Sequence, residues 1–109
     1  MATVITTPSV APEHCASLAE VRREIDAIDQ QLVGLIARRS GYVSRAAAFK
    51  ADSTAVRAPD RVAQVMAKAT TLADAAGAPK PVVAAVFTAM IDAFIAQELA
   101  MHAQTTQGH

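Results

Sequence analysis

Five side chains in this sequence carry charge at positions where charge must find an answer: Arg22, Arg39, Lys50, Arg61 and Glu98. Arg39 is the clearest case. Leu18, Val21, Ile25, Ile28, Leu32, Leu35, Arg39, Tyr42, Ala46 and Phe49 follow one another at alternating steps of three and four residues, the spacing of a seam along one face of a long helix. Arg39 is the only charged member of that seam. A buried, unpaired guanidinium is costly to desolvate, so it needs an anion from a protein carboxylate or a ligand, or a path for its head group back to water. Lys50 lies eleven residues further on, an angular offset of about 20° on an ideal helix, so both cations project from nearly the same face. Arg22 lies seventeen residues before Arg39, about 25 Å along the axis. One small ligand cannot reach both from a single helix, so a shared site would need Arg22 from a second subunit. Arg61 could fold back over Lys50 through the intervening segment.

Glu98 extends the stripe Phe87, Ile91, Phe94 by steps of four, three and four. A carboxylic acid on such a face prefers to be neutral unless it meets a cation. Cations with one inward acid are suited to gripping an anion and stabilising developing charge. No nucleophile stands at readable spacing from a base, and neither a metal-ligand pattern nor a phosphate loop is present, so no metal or cofactor is expected. Plainer roles exist for each residue. Arg22 can pair with Asp26 four residues on, Lys50 can be a favourable cation near a helix end, and Arg61, like Arg57, can be solvated. Glu98 can sit where its helix leaves the core, with Gln97 its inward neighbour instead.

These residues need helices to position them. Ser17, with Glu20 three residues later, forms a capping box that starts the first helix, and the seam then runs without proline to about Lys50. Residues 51–58, ADSTAVRA, break the period and read as a loop. Pro59 and Asp60 suit the first turn of a second helix. Its stripe is Val62, Val65, Met66, Ala69, Leu72 and Ala76, and Gly77 stops it. Pro81 can start a third helix with the stripe Val83, Val86, Phe87, Met90, Ile91, Phe94 and Ile95, fading after Met101. Residues 1–16 read as a flexible arm, 17–104 as one helical domain and 105–109 as a disordered tail. Two medium helices cannot cover the whole seam of a long one, which predicts an all-α homodimer.

Composition narrows the function. Hydrophobic residues make up 52% of the 109 residues and aromatics only 4%, so the core is built from small aliphatic side chains in closely packed helices. The formal net charge of zero offers no electrostatic footprint for nucleic acid or a membrane surface. Cys15 is the only cysteine, which excludes an internal disulfide and a cysteine metal site within one chain. The opening residues lack a secretion signal, and charges interrupt every apolar run before bilayer length. A cytoplasmic enzyme or binding protein is expected.

With these residues placed, the sequence resembles the small all-helical chorismate mutase family, and within it the bacterial isochorismate pyruvate-lyases. The resemblance rests on LAEVRREIDAIDQQLVGLIARRSGYV, AAAFKA, APDRV and a last helix ending in IAQE. It implies an intertwined dimer with two sites, each built from both chains, that binds a small dicarboxylate. The residue matching Arg22 would reach across to one carboxylate, and Arg39 would bind the other carboxylate region. Lys50 would contact a carboxylate and the ether oxygen, with Arg61 supporting the positive ring. Mutases of the family carry a glutamate where this chain has Val62, and commonly an aspartate where it has Ala58; the lyases look like this chain at both places. A glutamine is usual at Glu98, and a glutamate can donate to the ether oxygen there only when protonated. The resemblance therefore implies conversion of isochorismate to salicylate and pyruvate, with secondary mutase activity. The alternatives are a mutase turning chorismate into prephenate, or a silent helical dimer that binds a carboxylate metabolite or a protein.

Overall fold

The computed structural model describes residues 10–107, all of whose regular elements are helical. A short 3-10 turn at Pro12–His14 precedes α1 (Leu18–Ala47), α2 (Ser53–Arg57), α3 (Pro59–Ala76) and α4 (Lys80–Gln107). Most of the expected arm over 1–16, and residues 108 and 109 of the expected tail, lie outside the described residues.

Local signals set most of the boundaries. The Ser17 hydroxyl accepts from the Glu20 amide at 3.1 Å, and the Glu20 carboxylate accepts from the Ala16 amide at 2.6 Å. The box therefore closes one residue earlier than the usual reciprocal pair, and it satisfies two amides near the helix start. Pro59 occupies the first turn of α3 with Asp60 beside it. Gly77 ends α3 at φ 69°, and the Ala78 amide reaches back to the Ala73 carbonyl at 2.8 Å. That left-handed exit is the reason for a glycine here.

Four expectations need correction. The segment 51–58 is not all loop: Asp52 accepts from the Ala55 amide at 2.9 Å and caps the one-turn helix α2. The first helix stops at Ala47 rather than about Lys50, because the amides of Ala48, Phe49 and Lys50 bond three residues back instead of four. The last helix begins at Lys80 and continues past Met101 to Gln107, into the tail expected to be disordered. That helix also corrects the expectation that no run reaches bilayer length: Lys80–Ala103 is long and apolar enough to cross a membrane by length and composition. It is nonetheless the helix against which α2 and α3 pack, and it carries a buried charged residue, Glu98.

The chain divides into two compact units, Met1–Arg39 and Ser40–His109, with the boundary inside α1. In the second unit the core is small: Val56 from α2, Ala69 and Ala73 from α3, and Ile91 from α4. Two alanines on the inner face of α3 let it approach α4 closely, and they displace Leu72, which is 57% exposed despite its place in the expected stripe. Val86 is likewise exposed, whereas Val83, Phe87, Met90, Phe94 and Ile95 are half-buried around Ile91. In the first unit α1 buries none of its side chains: Leu18, Ile25, Ile28, Leu32 and Leu35 are exposed along the expected seam.

Candidate active site

The second unit joins two of the residues singled out by their chemistry, although 48 positions separate them. Lys50 sits just past the tightened end of α1, where the Arg45 guanidinium lies 4.9 Å from the centre of the Phe49 ring. The chain then turns into α2, whose Val56 is 3% exposed, and α2 packs on α4. From α4, Glu98 points inward, 8% exposed, and meets Lys50: Nζ is 3.1 Å from Oε2 and 3.5 Å from Oε1. The ammonium thus donates toward both carboxylate oxygens. The pair is sheltered but not sealed, since Lys50 keeps 23% exposure. Removing one partner of a buried pair costs about 3 kcal/mol, because the remaining charge is left without compensation.

The expected stripe extension to Glu98 holds, and the ambiguity with Gln97 is resolved by burial: Glu98 is buried and Gln97 exposed. A buried acid that meets a cation is the paired case, so the alternative in which Glu98 sits at the edge of the core does not apply. Arg61 is exposed in the first turn of α3, followed by half-buried Val62, and Arg61 forms no ion pair among the described residues. Arg57 is exposed at the end of α2. On α1, Arg39 is half-buried and Arg22 exposed; Arg22 makes no ion pair with Asp26.

Two residues that shape the site escaped the periodicity argument. Asp52 and Val56 fix the connector that follows Lys50, one as a cap and the other as an apolar anchor. The signal for Asp52 was present, an aspartate directly before a short helix-compatible stretch. Cys15 is half-buried, and burial, then the nearby carboxylates of Glu20 and Glu24, push its thiol up. That shift keeps it in the thiol form and makes it a poor nucleophile.

An ammonium on a half-buried lysine, held by a buried carboxylate on the facing helix, can hand a hydrogen bond to an oxygen atom brought between them. Such an arrangement serves charge stabilisation rather than covalent attack. Residues 21–99 match the family described as chorismate mutase type II. The chain is also similar to the isochorismate pyruvate lyase of Pseudomonas aeruginosa, with 37% identity over 94 residues that cover 86% of this chain and 93% of that protein.

Proposed function

The chain belongs to the chorismate mutase type II family, and on that premise we propose that it is a cytoplasmic isochorismate pyruvate-lyase, a homodimer with two equivalent sites lined by both chains. In the reaction a ring hydrogen of isochorismate passes to the methylene carbon of the enolpyruvyl group while the ether C–O bond breaks. Pyruvate leaves, and the ring becomes aromatic as salicylate. The exchange of bonds is cyclic and needs no nucleophile, metal or cofactor. The protein must hold a flexible dianion in its reactive shape and stabilise the negative charge that builds on the ether oxygen.

Arg39 grips one carboxylate, and Arg22 of the partner subunit reaches the other. Lys50 contacts a carboxylate and is the donor aimed at the ether oxygen, the latter a contribution of about 3 kcal/mol to the transition state. Arg61 completes the cationic lining. Glu98 stands second as a donor, since it donates only when protonated. A second chain is supported by α1, whose exposed leucines and isoleucines form a continuous apolar strip, the kind of surface that marks an interaction site.

The observation that carries the lyase reading is Val62, half-buried immediately after Arg61. By the chain's resemblance to the mutases, whose glutamate at this place binds the ring hydroxyl of their substrate, an aliphatic side chain here suits a substrate whose hydroxyl lies elsewhere on the ring. The mutase reading, chorismate to prephenate, is second and is favoured by the description of the matched family. Incubating the protein with isochorismate and with chorismate, and identifying the products, tests the two. Salicylate and pyruvate from isochorismate are expected; prephenate from chorismate as the dominant product would replace the lyase reading with the mutase one.

A further inference from the structure

The connector between α1 and α3 is held to α4 in two ways of different chemistry. Val56 anchors it by apolar burial, and Lys50, at its start, anchors it by charge through Glu98. Glu98 is more than nine-tenths buried, and it pairs with the Lys50 ammonium. Its two oxygens lie 3.1 and 3.5 Å from the same ammonium, so the carboxylate and the Lys50 head group hold each other directly.

We propose that Glu98 is a tether: in the substrate-free protein it holds the Lys50 ammonium, and with it the connector, against α4, and it yields that ammonium to a carboxylate of the substrate. The identity of the incoming carboxylate rests on the lyase reading; the tether does not. A substrate carboxylate and the Glu98 carboxylate seek the same donor, and two carboxylates crowded around one ammonium repel each other. Binding is therefore an exchange of partners at Lys50 rather than the filling of an empty cationic site. An amide at position 98 would leave the ammonium uncommitted and the connector held by Val56 alone. Glu98 is in this sense a positioning residue that acts through Lys50.

Trypsin reports on the connector directly, because Arg57 is exposed at the end of α2. The rates of cleavage after Arg57 are compared in the folded wild-type protein, Glu98→Gln, Lys50→Met and the double variant, each checked by its thermal unfolding midpoint. In the regime where cleavage tracks the population of the open form, each single variant should cut about fivefold faster than wild type, with no further gain in the double variant. Unchanged rates in both single variants overturn the tether, and Lys50→Met decides alone if Glu98→Gln does not fold. Isochorismate in excess is then added as the probe. Protection should return in Glu98→Gln, where Lys50 is present to receive a carboxylate, and not in the double variant. Acceleration without that return overturns the exchange. Failure of the wild-type protein to turn over isochorismate counts against the lyase reading alone, because the substrate-free rates still decide the tether.

Discussion

Helices α1 and α3 carry the same kind of one-sided apolar stripe, yet they end up in opposite surroundings. Where α3 and α4 pack together, Ala69, Ala73 and Ile91 are buried and even the charge on Glu98 is answered from within the chain, while Leu72 and Val86 stay outside that contact. Along α1, Leu18 is 61% exposed, Ile28 54% and Leu35 55%. Periodicity states which face must be covered. It does not state by what, and that distinction separates the self-sufficient part of the molecule from the part we propose is completed by a second copy.

The largest effect should come from the self-sufficient part. Lys50→Ala is expected to lower turnover about 100-fold to 1000-fold with helicity and assembly retained, as read by pyruvate release and circular dichroism. A loss of threefold or less would remove Lys50 from the chemistry. The next effect tests the contrast itself. If water is the only neighbour of α1, Leu32→Ala should change stability by no more than about 0.5 kcal/mol. If a second chain covers it, the loss should be about 2–4 kcal/mol, matching Ile91→Ala in the buried part. Urea unfolding at two protein concentrations measures both, and the wild-type midpoint should rise with concentration if the strip is a subunit interface. The smallest effect is local. Ala58 links α2 to α3 at φ 38°, in the left-handed region. Ala58→Gly should relieve that strain and raise stability by up to about 1 kcal/mol, less the entropy that glycine loses on folding. It should leave sedimentation unchanged, and a fall in the unfolding midpoint would show that the left-handed turn is not a strained one.

Much of the fold was legible because its boundaries are decided within a few residues. Ser17 with Glu20, and Gly77, act on amides or carbonyls one turn away, Pro59 with Asp60 fits the first turn of a helix, and each appears where the sequence places it. The inward position of Glu98 followed from the stripe that precedes it. The residues that were misplaced depend on neighbours far along the chain. Leu72 loses its place to Ala73 because close approach of α4 rewards the smaller side chain, which nothing within α3 reveals. The contact between Lys50 and Glu98 joins residues 48 positions apart, so the sequence offered one acid on an inner stripe and one cation near a helix end without disclosing that they meet. The helix α2 was missed for a different reason, since five residues are too few to display a period and only the Asp52 cap announces it.

The order of elements has a bearing on biosynthesis. The ribosome delivers α1 before the segment that becomes α4, so an adhesive ribbon about 45 Å long, at 1.5 Å per residue, emerges while the rest of the chain is still being made. High expression should therefore favour aggregation through that ribbon. Slower synthesis at lower temperature is expected to improve the soluble yield more than any repair of the α3 and α4 packing.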